Sequence, residues 1–145
     1  MQPVMTATEM NAFLQKVFLE VAGEFNVEEV TETGVTLRLL VQDHHLRPGG
    51  TVSGPAMFGL ADVTAYMVTL AQIGPRALAV TTNCSIDFMR KPAAGVDLIA
   101  QGRLLKLGRQ LSVSDVLIFS QGMVQPVARA SLTYAIPPQG VDLPQ

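Results

Sequence analysis

The chain has 145 residues, of which 48% are apolar and 15% are charged, and its net charge at pH 7 is −2. This length suits one core, so we expect a single domain over residues 1–145. The small net charge and the lack of any basic run argue against a nucleic-acid-binding protein. The lone cysteine, Cys84, excludes an internal disulfide and is expected to be a buried structural thiol. So much apolar surface on a small domain predicts association with further copies of the chain.

The sequence does not open with a basic segment and an apolar run, so we expect no signal peptide and a cytoplasmic protein. The most apolar stretch, residues 55–71, contains Asp62, Thr64 and Thr69 and is short for a membrane span. We therefore predict a buried helix there and no membrane partner.

The first predicted element is a helix that begins after Thr6, because Thr6 with Glu9 three residues later forms a capping box. Apolar residues at helical spacing follow, and Gly23 is expected to end the helix. Two strands are predicted next, over residues 25–31 and 34–41.

A long loop, residues 42–53, leads into a second predicted helix over residues 54–72. Ser53 or Gly54 can cap this helix, and Pro55 suits its first turn, where the missing N–H costs nothing. The helix is apolar nearly all round, which indicates that other elements enclose it.

Alternating or apolar runs predict four enclosing strands, over residues 78–88, 96–105, 111–119 and 124–136. Short turns between them favour an antiparallel meander. In the first run, alternation places Thr82, Cys84, Ile86 and Phe88 on one face. The tail from about residue 137 is expected to be flexible. The sequence therefore predicts an α+β domain, an antiparallel sheet curled around one central helix.

Asp62 is the only charged residue between Arg47 and Arg76. Burying a carboxylate costs free energy unless the group is paired or hydrogen-bonded. One interpretation is a partly exposed or locally bonded acid. The interpretation that we favour is a carboxylate that lines a pocket and acts as a general base or nucleophile.

The start of the same helix offers free N–H groups that can stabilise an oxyanion, and Gly54 lets a ligand approach its backbone closely. Asp62 lies eight residues further on, about 12 Å along the helix. Within one chain the two groups are too far apart to act on one carbonyl. A shared reaction therefore predicts a site built by two helices across a symmetric dimer interface.

The segment from Arg47 to Asp62, Arg-Pro-Gly-Gly-Thr-Val-Ser-Gly-Pro-Ala-Met-Phe-Gly-Leu-Ala-Asp, resembles the motif of the PaaI-like (phenylacetate-pathway) hotdog-fold thioesterases. Their pattern is a polar amide residue, then His-Gly-Gly, then an acid eight residues after the first Gly. Residues 79–92, Ala-Val-Thr-Thr-Asn-Cys-Ser-Ile-Asp-Phe-Met-Arg-Lys-Pro, are similar to the family strand that ends in Phe-Leu-Arg-Pro. The resemblance covers residues 13–136 and implies a hotdog fold that hydrolyses acyl-CoA thioesters, often aryl ones.

The resemblance implies that Asp62 is the nucleophile or general base and that the Gly54 N–H polarises the thioester carbonyl from the opposing subunit. Arg47 takes the place of the amide that positions the leaving group or water. Thr81 and Thr82 lie where a Ser or Thr of the family often assists near the acid. The catalytic set expected from this comparison is Asp62, Gly54, Ser53, Arg47 and Thr82. Contacts with the substrate or its CoA are expected from His45, Pro55, Thr81, Asn83, Phe88, Arg90, Lys106, Leu107, Gly108, Arg109, Gln110 and Leu111.

The chain departs from the family motif at two points: Ser53 replaces the His, and Pro55 replaces the second Gly. Two alternatives therefore stay open beside thioester hydrolysis. The first is an acyl-CoA-binding or lipid-binding protein without turnover. The second is a hydratase or dehydratase, which is less favoured because such enzymes need a His beside the acid, and His44 and His45 both lie in the loop.

Asp43, His44 and His45 form the one cluster in the sequence that suggests a metal. Adjacent histidines point in different directions on an extended chain, so we expect no metal site. We expect no cofactor other than the CoA carried by the substrate. The expected partners are the acyl-CoA and other copies of the chain, as a homodimer or a dimer of dimers.

Overall fold

The computed structural model describes residues 2–138, which form two α-helices and six strands. The helices are α1 (Ala7–Val17) and α2 (Gly54–Ile73). The strands are β1 (Phe25–Val30), β2 (Gly34–Leu39), β3 (Val80–Phe88), β4 (Leu98–Leu107), β5 (Leu111–Ser120) and β6 (Ala128–Ala135). Two short 3₁₀ turns, Leu19–Val21 and Asp43–His45, lie in the connections.

The six strands form one antiparallel sheet in the order β1-β2-β4-β5-β6-β3. The inward side chains of the sheet pack on α2, which lies across its concave face. This is the α+β hotdog architecture that the sequence predicts. The core lies between α2 and the sheet, and it is built from fully buried residues such as Leu37, Leu60, Met67, Leu98 and Leu132.

The prediction of a four-strand meander was wrong in its first strand. Of those four strands, only β4, β5 and β6 are consecutive neighbours, and β3 pairs with β6 at the far edge of the sheet. The place beside β4 is taken by β2, because the chain crosses the sheet through α2 before β3 begins. Among residues 2–138, this order leaves β3 with one unpaired edge.

Helix α1 begins at the predicted capping box, in which the Glu9 N–H donates to Thr6 Oγ1 at 3.1 Å and the Thr6 N–H donates to Glu9 Oε1 at 3.0 Å. The helix ends at Val17, earlier than the expected stop at Gly23. The residue at the break, Phe18, packs edge-on against Tyr66 of α2, with the ring centres 6.1 Å apart.

Helix α2 is long and apolar enough to span a bilayer by length and composition, with a mean hydropathy of 1.3 over 18 of its residues. However, 72% of that 18-residue stretch is buried inside the fold. The enclosing sheet therefore accounts for its apolar sequence, as predicted. Ser53 is the N-cap, Pro55 lies in the first turn and Gly74 ends the helix with a φ of +92°.

Just beyond β6, the Arg76 guanidinium donates to the carbonyl oxygens of Pro137 and Pro138, the residues at which the predicted flexible tail begins. Residues 139–145, the rest of that predicted tail, lie outside the described residues.

Helix α2 packs closely against β4 at Gly102. A Cβ at this position would lie 2.6 Å from Thr64 Cγ2 and 2.7 Å from Val68 Cγ2, which is closer than packed side chains approach one another. Gly102 therefore sets the separation of helix and sheet within about two helical turns of Asp62.

We predict that Gly102→Ala lowers the free energy of unfolding by about 1–3 kcal/mol, because the added methyl group overpacks this contact. Gly59→Ala is the matched control, since a Cβ there meets nothing within 4 Å and Ala favours a helix by about 1 kcal/mol over Gly. Urea unfolding followed by circular dichroism measures both. Equal unfolding midpoints for the two variants would contradict the prediction.

Candidate active site

Asp62 lies in the middle of α2, partly buried, with its carboxylate facing β3 and β6. The Thr81 hydroxyl donates to Asp62 Oδ1 at 2.5 Å. The Tyr134 hydroxyl lies 2.8 Å from the same oxygen and 2.9 Å from the backbone carbonyl oxygen of Asp62. Both hydroxyls reach one carboxylate oxygen because Thr81 and Tyr134 are directly paired across β3 and β6.

A cavity of about 330 Å³ opens at this carboxylate. Aromatic rings form much of its wall: Tyr66 stacks on Tyr134 with ring centres 5.8 Å apart and an interplanar angle of 21°. The Tyr66 hydroxyl donates to the carbonyl oxygen of Ala77 at 2.8 Å, which ties the segment before β3 to α2. The full lining is Val17, Phe18, Asp62, Tyr66, Ala77, Leu78, Ala79, Val80, Thr81 and Tyr134. The cavity is mixed in character: the Thr81 and Tyr134 hydroxyls converge on Asp62, and aromatic and aliphatic side chains supply most of the other lining residues.

Burial keeps both tyrosines protonated. It raises the pKa of Tyr66 to about 12. The pKa of Tyr134 is raised further, first by burial and then by the negative charge of Asp62. At neutral pH the Tyr134 hydroxyl is therefore a hydrogen-bond donor toward Asp62.

A second cavity, of about 580 Å³, lies at the N-terminal end of α2. It brings together four of the residues predicted from the sequence: Arg47, Gly54, Phe88 and Arg90. Its remaining lining residues are Pro48, Thr51, Val52, Met57, Lys91 and Pro92. Three cationic side chains next to a helix N-terminus make this cavity suitable for an anionic group.

The first turn of α2 leaves one amide for a ligand. The Ala56 N–H donates to Ser53 Oγ at 3.2 Å, and the Met57 N–H donates to the Ser53 carbonyl oxygen at 3.1 Å. Pro55 has no N–H, and within residues 2–138 no acceptor binds the Gly54 N–H. Ser53 is thus the N-cap of α2, and the N–H left free in the first turn is that of Gly54, the amide that the sequence analysis proposed as the oxyanion donor.

The carboxylate and this amide belong to separate cavities. They are eight residues apart on one straight helix, about 12 Å at the usual rise per residue. Strand β3 runs beside the helix, with Thr81 at the carboxylate and Phe88 at the amide. One chain therefore carries the two functional groups at opposite ends of its edge strand.

Of the two threonines expected near the acid, the structure places Thr81 at Asp62 and not Thr82. A β-bulge makes Thr82 the extra residue between Thr81 and Asn83, and its exposed hydroxyl donates to the Thr133 carbonyl oxygen at 3.3 Å. The bulge reverses the side-chain alternation, so Thr81 joins the inward face. Asn83 is exposed and lines neither cavity.

His45 is 6% exposed and lines neither cavity, so the expected contact with the substrate is not supported by its position. Its Nδ1 accepts the Gln42 N–H at 2.9 Å, and its Nε2 lies 3.4 Å from Glu24. The other histidine, His44, places its Nε2 2.6 Å from the same carboxylate.

The two histidines do not point apart, because the 3₁₀ turn brings their ring centres to 4.1 Å. Glu24, His44 and His45 could be taken for a metal site, since their ligand atoms lie within 4.8 Å of one another. The Nδ1 of a neutral His45 accepts a hydrogen bond, however, so its Nε2 carries the proton and has no lone pair for a metal. The geometry fits a carboxylate bound by two imidazoles.

The hairpin residues expected to contact CoA lie at the Asp62 end of the sheet, because Leu111 and Ser112 pair with Ala135 and Tyr134. A third cavity, of about 370 Å³, is lined by Lys106, Gly108, Arg109, Gln110, Leu111 and Val113. Leu107 lines a neighbouring cavity, and Pro55 is exposed in the first turn of α2.

Sequence reasoning missed Tyr134. The signal was present, because β6 alternates with Ala128, Ala130 and Leu132 on its inward face and Tyr134 continues that row. A hydroxyl at the end of an apolar row needs a buried partner. Nothing in the sequence shows that the partner is Asp62.

The thioesterase superfamily model matches residues 49–127. The crystal structure of a candidate thioesterase from a Silicibacter species is 55% identical, covers 95% of this chain and 96% of that one, and has a TM-score of 0.88. A variant of the phenylacetic acid degradation protein PaaI from Thermus thermophilus is 23% identical (87% and 99% covered, TM-score 0.67). A hypothetical thioesterase from Streptococcus pneumoniae, solved with coenzyme A, is 22% identical (79% and 89% covered, TM-score 0.67). No curated protein matches the chain in sequence.

We predict that neither tyrosine of the folded chain ionises near pH 10, where tyrosine in an unfolded chain does. The chain has two tyrosines and no tryptophan, so absorbance at about 295 nm follows Tyr66 and Tyr134 alone. Because the folded-state pKa values are raised, the stability that they contribute is complete below pH 10 and is lost as the pH rises toward about 12. Tyrosinate absorbance near pH 10, with circular dichroism unchanged, would contradict the burial of both rings.

Proposed function

Because the chain belongs to the thioesterase superfamily, we propose that it hydrolyses acyl-CoA thioesters to the free acid and CoA. The observation that carries this proposal is the Asp62 carboxylate, held by two hydroxyls at the wall of a cavity with a mixed polar and apolar lining. A carboxylate in such a place can supply an electron pair.

In the proposed reaction, Asp62 gives its electron pair either to a proton of an attacking water or directly to the thioester carbonyl carbon. The carbon–sulfur bond breaks, and the CoA thiolate leaves and takes up a proton. In the second route, water then hydrolyses the acyl-enzyme anhydride and regenerates the carboxylate. Both routes consume one water and yield one acid and one thiol.

The developing oxyanion needs a donor, and the free Gly54 amide at the positive end of α2 suits this role. In one chain the amide and the carboxylate lie about 12 Å apart, so one carbonyl cannot contact both. We propose that Gly54 of the partner subunit completes each site.

The unpaired edge of β3 provides the geometry for this dimer. Paired antiparallel with the β3 of a second copy about a two-fold axis, the strand brings the Thr81 end of one chain to the Phe88 end of the other. The carboxylate of one chain then faces the helix start of its partner. Val80, Phe88 and Met89 are 56%, 51% and 43% exposed on this strand and just after it, which suits an interface.

The acyl group would occupy the cavity beside Tyr66 and Tyr134, whose aromatic lining suits an aryl or medium-chain acyl group. The CoA phosphates would lie near cations, for which Arg47, Arg90 and Lys91 around the Gly54 amide are suitable. The coenzyme A bound to the Streptococcus pneumoniae neighbour supports a CoA substrate for this fold.

A hydratase reaction is less well supported. It needs a His beside the acid, and neither His44 nor His45 lines the Asp62 cavity. Both imidazoles face Glu24 instead.

We predict that Asp62→Asn lowers kcat by about 100-fold to 10,000-fold, because it removes the proposed base or nucleophile. Asp115→Asn is the control, since this carboxylate pairs with Arg103 on the outer face of the sheet. Thiol release from a panel of short-chain, long-chain and aryl acyl-CoAs measures turnover. Equal hydrolysis by Asp62→Asn and the parent would refute the assignment, and saturable binding without turnover by the parent would indicate a binding protein.

A second pair of variants tests the amide. Gly54→Pro removes the N–H while keeping a residue that suits the first turn, and we expect it to lower kcat by about 100-fold or more. Gly54→Ala keeps the N–H, and its Cβ would lie 3.5 Å from the Phe88 ring, an ordinary contact. It should retain far more activity than Gly54→Pro.

If each site takes its carboxylate and its amide from different chains, mixing the inactive Gly54→Pro and Asp62→Asn chains should restore activity. Random mixing makes half of the dimers mixed, each with one intact site, so about one quarter of the parent activity is expected. No recovery after verified subunit exchange would exclude a shared site.

A further inference from the structure

The hydrolysis proposed above uses the Asp62 carboxylate but does not say which of its two oxygens reacts. We propose that Tyr134 is a positioning residue, which together with Thr81 fixes Oδ1 of Asp62 so that Oδ2 alone is presented to the substrate. This inference rests on the proposed function and adds to it the identity of the reactive oxygen.

The hydrogen bonds of the carboxylate are strongly asymmetric. Oδ1 receives the Thr81 hydroxyl at 2.5 Å and lies 2.8 Å from the Tyr134 hydroxyl. A carboxylate oxygen has about two lone-pair positions, so these two contacts fill Oδ1. Within residues 2–138, Oδ2 has no hydrogen-bond partner, which leaves its lone pairs for a water or a carbonyl carbon.

The Tyr134 ring is itself held firmly. It is 4% exposed and stacks on Tyr66, which is fixed by the hydroxyl bond to Ala77. Phe13 and Phe18 also pack against the Tyr66 ring, with their ring centres 6.2 Å and 6.1 Å from its centre. A donor supported in this way loses little further freedom when it binds the carboxylate.

The position of the hydroxyl also links the side chain of Asp62 to its own backbone. The single phenolic proton is shared between Oδ1 and the Asp62 carbonyl oxygen, which lies in the rigid core of α2. The hydroxyl thereby sets the rotamer of the carboxylate relative to the helix axis. Because burial raises its pKa well above the usual range, Tyr134 stays protonated, and its one proton is directed at the oxygens of Asp62.

The test is the steady-state kinetics of Tyr134→Phe in the full-length protein with the best acyl-CoA of the panel. We expect kcat to fall about tenfold or more with KM changed by about twofold or less, because a hydrogen bond to a charged group is lost while substrate contacts remain. Ser131→Ala, which removes a hydroxyl from the outer face of the same strand, should behave as the parent.

Tyr66→Phe separates positioning from packing. It removes the neighbouring phenol hydroxyl of the same stack, so it should lower the melting temperature as Tyr134→Phe does but reduce kcat less. If Tyr134→Phe does not fold, Thr81→Val and Thr81→Ser carry the test, since only the serine keeps a hydroxyl that can bind Oδ1.

The outcomes distinguish this inference from the function on which it rests. Parent-like kcat in Tyr134→Phe, or equal kcat losses in Tyr134→Phe and Tyr66→Phe, overturns the positioning role while the Asp62 assignment stands. In the Thr81 pair, equal activities of the Val and Ser variants overturn it as well. Full turnover by Asp62→Asn refutes both proposals.

Discussion

The structure depends on enclosing an apolar helix within one curved sheet. Helix α2 has no polar face, the fold buries most of its residues from Met57 onward, and the contact at Gly102 shows how closely β4 approaches it. This closure is what makes Asp62 unusual. The single charged residue of the helix cannot be hydrated on all sides, and its hydrogen bonds come from hydroxyls on the enclosing strands, Thr81 on β3 and Tyr134 on β6.

The same helix supplies two groups of opposite charge character at different positions along its axis. Its first turn presents the positively polarised Gly54 amide, and its middle presents a negative carboxylate. Ser53 and Pro55 are the residues that depart from the family motif. Ser53 accepts the N–H groups of Ala56 and Met57, and Pro55 has no N–H, so among the described residues the Gly54 amide is left free. The spacing of the amide and Asp62 along a rigid helix is the physical reason for proposing a site shared by two chains.

Strand β3 connects these two ends and has an unpaired edge. Its first residues hold the carboxylate through Thr81, and its last residues place Phe88 against the helix start. A pairing of two such edges would extend the sheet and bury exposed apolar side chains at the same time. The catalytic geometry and the assembly would then follow from one strand, which ties the proposed activity to the proposed dimer.

The sequence alone determined the class of fold and the approximate limits of most elements, and it pointed to Asp62 and Gly54 as candidate site residues, because periodicity, capping and the cost of a buried charge are local properties. It did not determine the place of β3 beside β6, which of Thr81 and Thr82 reaches the carboxylate, or the contact of Tyr134 with Asp62. Each of these depends on strand pairing between distant segments, and a single bulged residue changes which side chains face inward. Tertiary structure therefore decided which groups surround the acid.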